Sequence, residues 1–267
     1  MKSNSLIIGD SSQLNFYYPK EYDRMSSRNI DFDLINKNGY DTVYLLFAEQ
    51  RTFLNETEKF FTNINVDYTI KLIDKIKNKC KRIIIFSTSE LWNDYDGEVS
   101  INLPYKYNYT PYIKSKEILC DLINDNREKY DNVKIIYPFN FNSPYRKEGF
   151  LFSKIFQSII YKKPIEVGDL NFVRDIIHPS LIVNHSIETN EDLLIGSGEL
   201  INIENFVMNL YKINNLVYDE YVHSFSHNNL NNVRKNYRSK IKYSNYNDLL
   251  NLTHEDIRKN SISEKHY

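Results

Sequence analysis

The sequence predicts an α/β fold: a doubly wound parallel sheet covered by helices, with a small C-terminal α+β lobe. Three observations carry the prediction. Short β-rich apolar runs recur through the first two thirds of the chain, the segments between them carry apolar residues at helical spacing, and the last third loses this alternation. At 267 residues the chain has room for one large α/β domain, or one such domain with a small appended lobe.

The elements follow in order. "SLIIG" (5–9), "DTVYLLFA" (41–48), "KRIIIFST" (81–88) and "NVKIIYPF" (132–139) read as strands buried on both faces. "VDYTIKLIDKIKN" places Val66, Ile70, Ile73 and Ile76 on one helical face, and "PYIKSKEILCDLIND" does the same with Ile118, Leu119, Leu122 and Ile123. From Gly9 to Ala48 there is space for only about one βαβ unit of roughly 30 residues, where two crossovers are usual. Pro19 also stops any helix that begins at Gln13, because proline lacks the donor and clashes one turn back. The first crossover is therefore expected to be shortened to a turn, with "YDRMSS" as a second strand. Further on, "FLFSKIFQSIIYKKP" and "NIENFVMNLYKINN" read as helices, and residues 260–267 as a frayed end.

Composition excludes several functions. A net charge of −1 and a mean hydropathy of −0.54 build no field for nucleic acid or a membrane surface. Runs such as "RIIIFS" and "FLFSKIF" are too short to span a bilayer, and "MKSNSLIIGD" enters a strand without a signal peptide's apolar stretch. Cys80 and Cys120 form no disulfide framework, which fits a reducing, cytoplasmic setting. No metal is expected, since His223 and His227 are four apart with no third ligand nearby. "GSG" at 196–198 is a turn rather than a phosphate loop, and the 22 tyrosines have no basic stripe beside them. Alanine occurs only at Ala48, which reads as the drift of an AT-rich genome and lessens the weight of any missing glycine.

Two stretches carry chemistry. "GDSSQLN" (9–15) follows the first strand, where a glycine turn would aim backbone amides at a dinucleotide pyrophosphate. Gly9 is kept, but Ser12 and Asn15 stand where the fingerprint has its other glycines; serine is small and can itself hydrogen-bond phosphate. In "YTPYIKSKE", Tyr112 and Lys116 are four apart and so share a helix face. A lysine ammonium beside a phenol favours phenolate and brings its pKa toward the working range of a base. Thr88, leaving a strand end, is placed to donate a hydrogen bond to the same substrate oxygen.

In order along the chain, "LIIGDSSQL", "YDTVYLLFAEQ", "NINVDYT", "FSTSELW", "YTPYIKSKE", "YPFNFNSPYR", "KKPIEVGDLNFVRDIIHPSLIV" and "LLIGSGELINIENFV" resemble the motifs of the extended short-chain dehydrogenase/reductase family acting on nucleotide sugars. The resemblance implies a Rossmann-like core over 1–140 and a mainly substrate-binding lobe over 141–267, with segments returning to the core. It makes Tyr112 the catalytic acid/base, Lys116 the holder of the nicotinamide ribose, and Thr88 the residue that orients the sugar oxygen. It places NAD or NADP along Gly9, Ser11, Ser12, Gln13, Leu14, Arg28, Phe47, Ala48 and Asn65, with Tyr112 and Lys116. Arg28 would meet the 2′-phosphate of NADP, and its alternative is a surface arginine. Thr88, Ser89, Asn140 and Arg174 would contact the substrate; Arg suits bidentate phosphate recognition. For Arg174 a structural salt bridge with Asp169 or Asp175 stays open, and for Asn140 a loop cap. Glu90, a further catalytic candidate, keeps the glutamate of the dehydratase Asp-Glu pair, whereas Ser89 replaces the aspartate; the alternative for Glu90 is a solvent-facing residue at a strand-to-loop transition.

The expectation is an NAD(P)-dependent nucleotide-sugar oxidoreductase, an epimerase first, working through a transient keto sugar as a homodimer. A reductase or dehydratase is the near alternative. From another class, the alternative is a nucleotide-sugar-binding protein that has lost its cofactor, which the short Gly9–Ala48 interval favours.

Overall fold

The computed structural model describes residues 4–54, 56–141, 143–146, 149–225 and 235–263. The chain forms two compact units, one of residues 1–92, 101–138 and 183–194, the other of 93–100, 139–182 and 195–267. The first is built on a six-stranded sheet of β1 (Ser5–Ile8), β2 (Asp23–Met25), β3 (Thr42–Leu45), β4 (Arg82–Phe86), β5 (Val133–Pro138) and β6 (Leu193–Ile195), in the order β6-β5-β4-β3-β1-β2. The pairings from β2 through β1, β3 and β4 to β5 are all parallel. Leu6 to Ile8, Val43 to Leu45 and Ile83 to Ile85 are buried, as strands covered on both faces require. β1 leads outward to β2, and the chain then returns to β3 on the other side of β1. The order of winding thus reverses between β1 and β3, and ligands of open α/β sheets bind at the carboxyl ends of strands at such a point.

The expected shortening of the first crossover is present. Between Gly9 and Tyr22 lies only a five-residue 3-10 helix, Gln13–Tyr17, with Pro19 just beyond it. Aromatic rings fill the vacated space: Tyr18 packs on Tyr44 of β3 at 4.7 Å between centroids, and Tyr22 stacks on the same ring at 6.0 Å. The Tyr18 hydroxyl shares a 2.7 Å hydrogen bond with Ser186 Oγ, and burial pushes its pKa well above the ordinary value.

The remaining crossovers carry real helices. α1 (Phe32–Asn38) is capped by Asp31, which accepts from Leu34 N, and ends at Gly39 in the left-handed conformation (φ +58°). α2 (Glu58–Thr62) runs through a π-helical segment, Asn63–Tyr68, into α3 (Thr69–Ile76). α4 (Pro111–Asn124) starts where Thr110 Oγ1 accepts from Ile113 N at 3.1 Å, with proline at its first position. Its inward face differs from expectation. Ile113, Lys116, Leu119, Cys120 and Ile123 are buried, whereas Ile118 is half-buried and Leu122 is 41% exposed. A single apolar stripe at helical spacing cannot include both 118 and 122 once 116 and 120 face the sheet. On α3, Leu72 is buried and Ile70 only half-buried, for the same reason.

The second unit packs helices Leu151–Tyr161, Ile203–Ile213 and Tyr246–Ser263 around Phe152, Phe156, Phe206, Leu210, Tyr211 and Leu249. Four short two-stranded pairs join them, among them Gly97–Val99 with Tyr237–Ser239 and Ile165–Gly168 with Val222–Phe225. This is the α+β lobe. Its last helix runs to Ser263, with Asn260 Nδ2 bonded to Asp256 O and Ser261 Oγ to Ile257 O, so residues 260–263 are not frayed as expected. Residues 264–267 lie outside the described residues.

Candidate active site

In the first unit Thr88 follows the carboxyl end of β4, and Lys116, one helical turn from Tyr112 on α4, reaches the same strand end. Tyr112 stands in the first turn of α4, half-buried against the edge of Phe61 (centroids 6.2 Å apart). One turn on, Lys116 is 2% exposed, with Nζ 6.0 Å from the Tyr112 ring centre. The ammonium donates to Phe86 O at 2.8 Å, the last residue of β4. Of its three donors, that is the one with a protein acceptor among the described residues. Burial pulls its pKa from 10.5 to about 8. Among the described residues no carboxylate pairs with it. Cys120, one turn further, donates its thiol to Ser87 Oγ at 3.2 Å, and burial pushes both Cys120 and Tyr137 upward, so both stay neutral.

Thr88 follows β4 and is buried; its Oγ1 accepts from Glu90 N at 3.2 Å, which leaves the hydroxyl proton to donate. The 3-10 turn Ser89–Trp92 packs against α4 and turns Ser89 into the interior at 1% exposure, leaving Glu90 half-buried at the surface. The substrate contact expected of the Ser89 side chain is therefore not on offer in this conformation.

The glycine turn lies across the switch point. Gly9 has φ +110°, and a Cβ there would sit 3.0 Å from Phe47 N and 3.1 Å from Leu46 C, so the exits of β1 and β3 touch. Ser11 and Ala48 are exposed, Ser12 and Phe47 half-buried, and Arg28 exposed after β2, its N–H on Ser26 Oγ at 3.3 Å. Gln13 and Leu14 have buried side chains, so a dinucleotide would meet that part of the turn through its backbone. The Ser12 N–H is already spent on Gly9 O at 3.0 Å.

Asn65, named from its motif as a cofactor contact, is 1% exposed inside the π-helical segment. Its Oδ1 accepts from Glu49 N (2.8 Å), and its Nδ2 donates to Glu49 O (3.0 Å) and Ser115 Oγ (2.9 Å). Ser115 Oγ in turn donates to Tyr112 O at 2.7 Å. Asn65 thus ties the loop after β3 to the start of α4 and acts on the site through Tyr112. Glu49 and Ser115, which sequence reasoning passed over, are its partners.

Asn140 and Arg174 belong to the second unit. Asn140 pairs with Ile176 in a two-residue parallel bridge, and the Arg174 guanidinium lies 4.9 Å from the Phe172 ring centre and donates to Val173 O. The neighbouring Asp175 does not serve Arg174 as the salt-bridge alternative required. Its buried carboxylate accepts from Ser197 N (2.6 Å), Ser197 Oγ (2.7 Å), Gly198 N (3.0 Å) and Ser239 N (2.9 Å). Gly196 is needed here, since a Cβ would lie 2.6 Å from Asp175 Oδ2, which explains the "GSG" turn. His223 is on an exposed strand, and His227 lies outside the described residues. Among the described residues no cluster of His, Cys, Asp and Glu is arranged to hold a metal, and no helix is long and apolar enough to cross a membrane.

A buried ammonium with unspent donors near a phenol, together with a turn at the switch point whose Gly9 leaves no room for a side chain, fits the hydroxyl-rich ribose and the pyrophosphate of a nicotinamide dinucleotide. Known structures share the fold. The chain is similar to MoeE5 in complex with UDP-glucose and NAD, at 16% identity and TM-score 0.76 over 96% of this chain and 99% of that one. It is similar to RMD from Pseudomonas aeruginosa complexed with NADPH, at 15% identity and TM-score 0.75 over 98% and 100% of the two chains. A UDP-N-acetylglucosamine 4-epimerase from Methanobrevibacter ruminantium, in complex with UDP-N-acetylmuramic acid, aligns at 15% identity and TM-score 0.77 over 97% and 99%. No curated protein matches the chain. The sequence pattern of the family described as GDP-mannose 4,6 dehydratase matches residues 28–256, most of the chain, beginning after the glycine turn and β2. The chain therefore belongs to the GDP-mannose 4,6 dehydratase family of extended short-chain dehydrogenases/reductases.

Proposed function

We propose that the protein is an NAD(P)-dependent nucleotide-sugar oxidoreductase, acting as an epimerase through a transient keto sugar. The observation that carries this is Lys116: a buried cation with two protons unspent, one helical turn from Tyr112. Burying such a charge costs stability unless a ligand uses it. Relatives of the same fold are recorded with NAD, NADPH and UDP-sugars, which supports the class of ligand.

When bound, the nicotinamide would take hydride from a sugar carbon and return it. The chain's own residues handle the proton and the position. Tyr112 takes the hydroxyl proton of the carbon being oxidised and returns it later. Lys116 holds the nicotinamide ribose and, while charged, favours the Tyr112 phenolate. Thr88 donates its hydroxyl proton to the same sugar oxygen, keeping it in line with Tyr112. Gly9, Ser11 and Ser12 would meet the pyrophosphate, and Phe47 and Ala48 the nicotinamide end. Asn140 and Arg174 are proposed for the substrate diphosphate. Epimerisation is preferred over dehydration because Ser89 carries no acid and faces inward.

Homodimerisation through the outer faces of α3 and α4 completes the reading. Exposed Leu122 lies there in an open groove with Val66 and Ile70.

Tyr112→Phe tests the mechanism. It should abolish turnover of the substrate while leaving nucleotide-sugar binding within about twofold, because only the transferable proton is removed. Retained turnover removes Tyr112 from the mechanism. A second reading, a nucleotide-sugar-binding protein without redox chemistry, is favoured by one observation: the crossover behind the glycine turn holds a five-residue 3-10 helix and no α-helix dipole.

A further inference from the structure

Arg24 lies in the middle of β2, paired in register with Ile7 of β1, and its guanidinium turns back into the shortened crossover. Nε donates to Asn15 Oδ1 at 2.9 Å. One terminal nitrogen donates to Lys20 O (3.1 Å) and Tyr22 O (2.6 Å), the other to Tyr18 O (3.3 Å) and Pro19 O (3.0 Å). A guanidinium has five N–H groups in a fixed plane, and here all five are engaged. Asn15 continues the chain: its Nδ2 donates to Asp10 O at 2.8 Å and its backbone N–H to Ser12 O at 3.0 Å. The turn is closed by Ser12 N on Gly9 O (3.0 Å) and Gly9 N on Met25 O (2.9 Å).

Asn15 stands where the dinucleotide fingerprint has its third glycine, which serves close helix–strand packing. With the helix gone, that demand is gone too, and an amide side chain can bridge instead. We infer that Arg24 and Asn15 are positioning residues for the cofactor's pyrophosphate, holding the Gly9–Ser12 backbone in the shape that the missing crossover helix would impose. Arg24 is thereby occupied and is not a ligand for the adenosine phosphate. The inference rests on the cofactor reading above.

The competing explanation is that Arg24 only supports the fold. The two separate in dissociation constants for NAD(H) and NADP(H), measured by calorimetry well below the melting temperature. Asn15→Ala cuts the link to the turn but leaves the four carbonyl bonds of Arg24. It should weaken dinucleotide binding about tenfold, as loss of a buried hydrogen-bond link does, with a smaller fall in melting temperature than Arg24→Met. The double variant should bind no more weakly than Arg24→Met alone, since the residues act in series. Arg24→Lys should fall between, because one ammonium cannot meet five acceptors. Should Arg24→Met fail to fold, Asn15→Ala decides by itself. Unchanged cofactor affinity in folded Asn15→Ala, beside a wild type that binds, overturns the inference and leaves the cofactor reading standing. A wild type that binds neither dinucleotide overturns both.

Discussion

Replacing Lys116 by methionine should stabilise the cofactor-free protein at neutral pH and abolish turnover. In the fold its pKa is about 8, against 10.5 for the exposed group. That difference corresponds to about 3 kcal/mol for keeping the charge buried below pH 8. Methionine fills similar volume without charge but gives up the bond to Phe86 O, worth about 1.5–3 kcal/mol for a charged donor. The net gain at pH 7 is then on the order of 1 kcal/mol. The pH dependence is the sharper signal. Between about 8 and 10.5 the unfolded chain binds a proton at Lys116 that the folded chain has released, so wild-type stability rises with pH through this window. Groups common to both proteins cancel in the difference. The advantage of Lys116→Met should therefore shrink by about 3 kcal/mol between neutral pH and pH above 10, and reverse. Urea unfolding at several pH values measures it. A difference that stays constant with pH refutes the picture of a buried, uncompensated ammonium.

Gly9→Ala forces a side chain into φ +110° and against Phe47 N, and should cost about 1–3 kcal/mol in urea unfolding together with cofactor affinity; a loss under about 0.5 kcal/mol would show that the β1 and β3 exits are not pressed together. Arg28→Ala should weaken NADP(H) at least tenfold more than NAD(H) if the exposed guanidinium grips a 2′-phosphate, as competition binding would show. Equal effects on the two would return Arg28 to the surface.

Much of this architecture is legible in the sequence, because strands buried on both faces leave unbroken apolar runs. Ile83, Ile84 and Ile85 could be nothing else. The shortened crossover was legible from Pro19 and from the Gly9–Ala48 interval, and Tyr112 with Lys116 from helical spacing. What replaces the missing helix was not. Arg24 and Asn15 look like random drift until their bonds are seen, and tyrosines 18, 22 and 44 have no pattern of their own in a tyrosine-rich chain. Asn65 is legible from its motif but its partners are not, since Glu49 and Ser115 are 16 and 50 residues away in sequence. The apolar pattern of α4 places Leu122 inward, because an apolar residue at helical spacing does not announce which side of a stripe it borders. Asp175 shows the same limit: a motif names the residue, and only the fold reveals that four donors from two distant segments meet on it.

Retention of a nicotinamide dinucleotide between Gly9 and Lys116 is tested most directly by calorimetric titration of NAD(H) and NADP(H) into the wild-type protein and Lys116→Met. Saturable binding to the wild type, weakened at least tenfold by the substitution, is the predicted result. No heat at millimolar dinucleotide, in a protein that still binds a nucleotide sugar, would contradict it.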